Sequence, residues 1–264
     1  MNKTNCPICS AALKESFVAK VLQKYDAVFK YCSNCGFLCA EDPFWLEESY
    51  SSAIASTDTG LVARNLALSK IIAVILYFLL GERGEGRCVD VAGGYGMLTR
   101  LMRDYGFDFY WADKYCQNIL ARGFEYTPEM GNCRAVTAIE VMEHAENPME
   151  FIQEALAFAQ SDTLIFTTEL FDGNPPQPDQ WWYYSFKTGQ HISFYQKKTL
   201  ETLAARLGMM YFCVDEIHLI SKIPISVNKI VHGWRIISYF RLLAVKHRLS
   251  SRQITDHLEL MDRM

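Results

Sequence analysis

The stretch Arg87-Cys88-Val89-Asp90-Val91-Ala92-Gly93-Gly94-Tyr95-Gly96 joins a short apolar run to Met97–Tyr105, where Met97, Leu98, Leu101 and Met102 recur at helical spacing. Glycines gather between a strand and a helix where a ligand must approach the backbone closely, and they also gather in ordinary tight turns. On the carboxyl side, Phe107–Ala112 reads as a second strand ending at Asp113, and Asn132–Ile139 as a third. Asn147–Gln160 is a helix with Pro148 near its start, and Ser161–Thr168 is a fourth strand. Farther on come a short strand at His191–Phe194, a helix at Lys198–Leu207 closed by Gly208, and a strand over Met209–Leu219. On the amino side, Asn65–Leu80 is apolar enough for a buried helix. Strands alternating with helices predict an α/β fold, a Rossmann-like doubly wound sheet.

The chain has 264 residues, half of them hydrophobic and 21% charged, with a net charge of -4. A disordered chain is excluded, and so is a polyanion binder acting by bulk charge. The first residues lack an apolar core, so a secretory signal is not expected. The longest apolar run, Ile71–Leu80, is about half a membrane span, so no transmembrane segment is expected.

Nine cysteines fall into two kinds. Cys6-Pro7-Ile8-Cys9 and Cys32-Ser33-Asn34-Cys35 are two CxxC pairs, and each such turn offers two thiolates to one ion. Gly36 follows the second pair, where a knuckle turn favours φ > 0. The β-rich segment Ser16–Tyr31 between the pairs predicts the hairpin of a zinc ribbon, with Zn2+ in a structural, closed four-cysteine site. Cys39, Cys88, Cys116, Cys133 and Cys213 read as free thiols, and both kinds fit a reducing, cytoplasmic setting.

Three features narrow the ligand of the glycine turn. The dinucleotide pattern fails, because counting from Gly94 its last glycine position holds Thr99. Asp113, at the end of the next strand, is placed to accept ribose hydroxyls. Asp90 would repel a phosphate and attract an α-ammonium group. Carboxylate, amine and ribose together describe S-adenosylmethionine.

The chain resembles the class I S-adenosylmethionine-dependent methyltransferases over roughly Val62–Leu219. Their usual Asp-x-Gly-x-Gly-x-Gly appears as Asp90-Val91-Ala92-Gly93-Gly94-Tyr95-Gly96, with Ala92 replacing the first glycine. Glu140-Val141-Met142-Glu143-His144, followed by Asn147-Pro148, matches the segment after their fourth strand. The resemblance implies cofactor contacts from Asp90, Ala92, Gly93, Gly94, Gly96, Asp113 and Glu140. The interval from Asp113 to Ala135 is short for the family, leaving a truncated helix at Gln117–Phe124, with Tyr115 and Phe124 placed to flank an adenine or simply to pack. A cysteine ribbon before such a domain is similar to the sugar C-methyltransferases and related glycan-cluster enzymes, although their long C-terminal domain is absent. In those enzymes a His-x-Ser-Tyr/Phe segment supplies a base, here His191-Ile192-Ser193-Phe194. In the similar quinone-precursor O-methyltransferases, an E-x-x-E-H segment is associated with a metal, which would involve Glu140, Glu143 and His144.

These readings predict methyl transfer to a small-molecule acceptor, a sugar or nucleotide-linked sugar, with His191 as general base. Trp181-Trp182-Tyr183-Tyr184, with His144, would wall the acceptor, or the aromatic residues would form a hydrophobic lid. The alternatives are a non-catalytic binding module and a metal-assisted O-methyltransferase of a quinone-type precursor. Residues 1–40 carry five lysines against two acids and few aromatics, so nucleic acid is not the expected partner. The expected divisions are a ribbon over 1–44, the methyltransferase domain over 45–221 and a helical extension over 222–264. That extension is basic: Ile217–Thr255 holds seven bases and no acid, suiting docking on the sheet, an anionic membrane surface or a phosphorylated substrate.

Overall fold

The computed structural model describes residues 4–50, 58–81, 84–225, 249, 251–252, 255–256 and 258–259. The helix expected across Val227–Val245 lies outside the described residues. The chain divides into two compact units, Met1–Ala55 with Ile139–Glu154 and Phe166–Ile223, and Ser56–Ala138 with Ala155–Ile165 and Pro224–Met264. The boundary expected at 44 falls inside the first unit, and so do the segments carrying His144 and His191.

The alternating elements begin in the second unit, and those after Ile165 belong to the first. Strand β4 (Cys88–Val91) is buried along its whole length and pairs in parallel with β5 (Phe109–Ala112) and β6 (Ala135–Ala138). Strands covered on both faces favour short, largely apolar runs, here interrupted by Asp90 in β4 and Thr137 in β6. The full sheet order is β5-β4-β6-β7-β10-β9, with β7 at Thr163–Thr167. Strands β9 (Met210–Val214) and β10 (Ile217–Ser221) form an antiparallel hairpin, where one strand was expected over Met209–Leu219. The chain reverses at Asp215, whose φ of +52° is tolerated by an Asp more readily than by most residues.

Helix α2 (Leu61–Leu80) precedes β4, and α3 (Met97–Asp104) follows it. Five consecutive residues of α2, Ile72–Leu76, are buried, so this part of the helix is enclosed on every side. An 18-residue window of this 20-residue helix has a mean hydropathy of 1.7, so the apolar segment is longer than the run Ile71–Leu80 on which no membrane span was expected. By length and composition this helix qualifies, a property it shares with core helices of soluble proteins. On α3 the buried stripe is Leu98, Thr99, Met102 and Arg103. Arg103 is fully buried, donates two hydrogen bonds to Asp256 at 2.7 and 2.8 Å, and lies 3.6 Å from the Phe124 ring. Phe124 is thus a packing residue beneath a guanidinium, whereas Tyr115 is 86% exposed.

The expected helix at Gln117–Phe124 is absent. Asn118 accepts the Ala121 N–H through Oδ1 and donates to Glu125, and side-chain bonds of this kind compete with helical ones. The segment instead bridges back to β5 through Trp111 and Glu125.

In the first unit, β1 (Lys14–Val21) and β2 (Tyr25–Tyr31) form the expected hairpin. Its turn places Leu22 and Gln23 at φ of +53° and +58°, the left-handed geometry that suits the twist of paired strands. The sheet continues β1-β2-β3-β8, with β3 at Leu38–Ala40 and β8 at Ser193–Phe194. Leu38 opposes Phe194 and Cys39 opposes Ser193, so the cysteine-bearing segment and the His191 segment share one sheet. Helix α1 (Leu46–Ser49) and helix α5 (Lys197–Arg206) also belong to this unit, and helix α4 (Pro148–Phe158) begins in it and ends in the second.

Candidate functional site

The glycine turn is built by close approach. A Cβ on Gly93 would stand 2.9 Å from both Asp90 Oδ2 and Trp111 Cδ1, which no side chain tolerates. Gly96, at φ +84°, would place a Cβ 2.8 Å from Asn118 Oδ1. Ala92 occupies the position of the family's first glycine with φ +52°. A non-glycine residue in that region costs about 1–2 kcal/mol, so the turn keeps its shape against local strain. The first turn of α3 has no side-chain cap, which leaves its positive end suited to a carboxylate.

Side chains from the neighbouring strands brace the turn. Gly94 N–H donates to Asp113 Oδ2 at 2.9 Å, and Trp111 Nε1 donates to Gly94 O at 2.9 Å. Asp113 Oδ1 also accepts the N–H groups of Tyr115 and Cys116 at 2.7 and 2.8 Å. Three backbone donors therefore occupy a carboxylate that offers about four lone-pair positions. The expectation that Asp113 takes two ribose hydroxyls is narrowed: one acceptor direction remains, and the residue is a brace as well. Trp111 carries no sequence signal for this role beyond its place on a strand.

Asp90 is buried and accepts a 2.5 Å hydrogen bond from Thr137 Oγ1. Burial pushes its pKa up to about 7, the Thr137 bond opposes this, and repulsion by Asp113 adds to it. Thr137 reaches Asp90 through the pairing of β4 with β6, which the motif alone does not show.

The first unit brings together two other groups. Cys6, Cys9, Cys32 and Cys35 place their sulfurs within 4.8 Å of one another, with Cys6–Cys35 at 3.6 Å and Cys9–Cys32 at 3.4 Å. A tetrahedral zinc with Zn–S bonds of about 2.3 Å separates its sulfurs by about 3.8 Å, so the four thiols fit that ion. The bond from Cys35 holds the Cys6 thiol down at about 5, while Cys35 as the proton holder is pushed up. Gly36 has the expected positive φ, +81°.

The second group is Glu143, His144 and His191, with one ligand atom from each within 4.8 Å. The two imidazole rings meet edge to face at 4.9 Å. His144 Nδ1 lies 3.0 Å from Gln190 O and 2.9 Å from Tyr50 Oη, and His191 Nδ1 lies 2.6 Å from Tyr183 O. A carbonyl only accepts, so each Nδ1 carries a hydrogen, and in the neutral ring Nε2 carries the lone pair. Burial lowers the His144 pKa to about 4, against the opposing Gln190 bond, so this ring is neutral at pH 7.

Glu140 adopts φ +57°; its N–H donates to Thr167 Oγ1, which in turn donates to Glu140 Oε1 at 2.7 Å. Glu140 belongs to the first unit and the glycine turn to the second. Of the aromatic run, Tyr183 and Tyr184 are core residues packed with Phe29 and Phe194, and Trp181 is half-buried. Trp182 alone of the four is largely exposed, at 76%. Tyr183 and Tyr184 thus belong to the core, and Trp182 is the one of the four with a largely exposed ring.

A family model described as a methyltransferase domain matches residues 63–212. No curated protein matches the chain. Among solved structures, the magnesium protoporphyrin IX methyltransferase of Synechocystis PCC 6803 with bound SAM is 13% identical, with a TM-score of 0.39, covering 67% of this chain and 91% of that one. An O-methyltransferase family 2 protein from Planctomyces limnophilus DSM 3776, in complex with apigenin, is 14% identical with a TM-score of 0.42, covering 68% of this chain and 66% of that one. Human N-acetylserotonin methyltransferase with SAM is 11% identical with a TM-score of 0.42 and the same two coverages. The family match spans more than half of the chain, and this protein belongs to the methyltransferase-domain family.

Proposed function

We propose that the protein transfers the methyl group of S-adenosylmethionine to a hydroxyl of a small-molecule acceptor, of the sugar or nucleotide-sugar class. The observation that carries this reading is the braced turn from Asp90 to Gly96, which combines a close backbone approach, an uncapped helix start and a buried carboxylate. The amino-acid end of the donor belongs against that turn, with its carboxylate toward α3, its ammonium group toward Asp90 and its ribose toward Asp113.

Methyl transfer from a sulfonium is an in-line displacement, so the protein has to align the acceptor, exclude water and take one proton. His191 suits the last task, since its Nε2 lone pair is fixed by the Nδ1 bond to Tyr183 O. Trp182 offers an exposed face on which a sugar ring stacks. The four-cysteine cluster takes a structural Zn2+, whose thiolates and the free cysteines suit a reducing, cytoplasmic setting.

The test is mass spectrometry of acceptors after incubation with isotope-labelled donor and candidate nucleotide sugars; methyl transfer to none of them overturns the acceptor class. For the donor, Asp113→Ala is expected to weaken binding about 10-fold or more, because it removes a ribose contact and frees Gly94 N–H. Calorimetry showing unchanged affinity counts against the turn as the donor site.

Asp90 adds a pH dependence. Its carboxyl is raised to about 7 in the free protein, and a bound ammonium stabilises the ionised form, so binding releases a proton below that value. Affinity is therefore expected to rise with pH up to about 7, by at most ~10-fold per unit, and then level off. Asp90→Asn should flatten the profile, and a wild-type affinity independent of pH between about 5.5 and 7 would remove the ammonium from this place.

A further inference from the structure

Glu143, His144 and His191 have the make-up of a cation site that is separate from the cysteine cluster. The carboxylate and His144 come from the short 3-10 turn Met142–His144, and His191 comes from the segment that enters β8. Three hydrogen bonds staple these segments: Ile192 N–H to Glu143 O at 2.8 Å, Ser193 Oγ to Ala145 O at 2.6 Å, and Tyr195 Oη to Met142 O at 2.6 Å. The two imidazoles are therefore held in place by backbone on both sides before any ligand arrives. Each ring also donates through Nδ1 to a carbonyl, the outer contact that metal-bound histidines use to fix the tautomer and the ring direction.

The third donor is a carboxylate with no solvent exposure. His144 Nε2 faces Glu143 Oε1 at 4.0 Å. Ligand atoms about 2.1 Å from a shared ion stand roughly 3–4 Å apart, so the group closes on an ion with a shift of about an ångström. Two imidazoles and one carboxylate form a set that leaves coordination positions open, as sites for zinc-like or ferrous ions do.

We propose that Glu143, His144 and His191 bind one divalent transition-metal ion, whose open position takes the acceptor hydroxyl. The role in the reaction rests on the methyl-transfer reading above; the binding of the ion does not. With the ion bound, His191 is a ligand and the ion performs the task assigned to it as a base. The coordinated hydroxyl loses its proton to water, and its oxygen forms a bond to the methyl carbon as the carbon–sulfur bond breaks, both electrons going to sulfur.

The probe is Co2+ added to the purified full chain with its cysteine cluster loaded with zinc. Saturable uptake of one equivalent is expected, with d–d absorption and without thiolate charge-transfer bands. X-ray absorption of the cobalt-loaded wild type should show nitrogen and oxygen ligands, with two imidazoles. Glu143→Gln and His191→Ala should each weaken cobalt binding by ~100-fold or more, while circular dichroism shows an intact fold. A sulfur shell, no saturable uptake by wild type, or unchanged affinity in folded variants each overturns the site. Donor affinity, measured on the same samples, separates the two ideas. Lost cobalt binding with intact donor binding returns His191 to the role of base. Lost donor binding with intact cobalt binding sinks methyl transfer and leaves the metal site standing.

Discussion

Cys32→Ser protein is expected to contain no zinc in its cysteine cluster and to lose the ordered hairpin β1–β2, with a Tm lower by ~10 °C or more. Zinc bound by four thiolates contributes about 10–16 kcal/mol in small metal-dependent domains, as much as the whole stability of an ordinary domain. The cysteine cluster here is tied to more than its hairpin. Thr199 Oγ1 at the start of α5 donates to Cys35 O at 2.8 Å, and Cys39 opposes Ser193 across β3 and β8. Ser193 lies two residues beyond His191, so disorder in the ribbon reaches the segment that carries the imidazole. Cys213→Ser is the control, since this half-buried thiol donates to Asp215 O and lies outside the cluster. Elemental analysis and thermal unfolding check the prediction. A Cys32→Ser chain with wild-type zinc content and Tm would show that these thiols hold no structural ion.

Turnover of His191→Ala is expected to fall by ~10²–10⁴, with donor affinity unchanged. Both roles assigned to this ring, base or metal ligand, require the lone pair on Nε2, and alanine removes it. The donor site on the glycine turn is built from other residues, so calorimetry should give the wild-type Kd. His191 also donates to Tyr183 O and contacts the Tyr183 ring at 4.7 Å, so some stability goes with it. His191→Gln keeps a side-chain donor for that carbonyl and serves as the structural control: it should restore Tm more than turnover. Full turnover by His191→Ala would leave the ring a packing residue.

The alternation of β4, α3, β5, β6, α4 and β7 was legible because buried parallel strands are short apolar runs and helices repeat at 3.6 residues. The β1–β2 hairpin was legible from its composition, but its turn was not. Leu22 and Gln23 are not residues that announce positive φ, and the pairing of the strands imposes it. Met209–Leu219 looked like one strand because nothing glycine-like marks the reversal at Asp215. Gln117–Phe124 looked helical until the bonds of Asn118 to Ala121 and Glu125 are seen.

The site divides in the same way. Cys6, Cys9, Cys32, Cys35 and the turn from Asp90 to Gly96 are local motifs, in which spacing along the chain already implies proximity. The bracing of Gly94 by Trp111 and Asp113, the Thr137 bond to Asp90, and the meeting of His144 with His191 depend on residues that are distant in sequence. Local spacing and apolar periodicity thus determined the α/β class, the two cysteine turns and the glycine turn. Tertiary structure alone decided that β8 joins the cysteine sheet and that two histidines and a buried carboxylate converge, because strand pairing between remote segments depends on burial and register across the whole molecule.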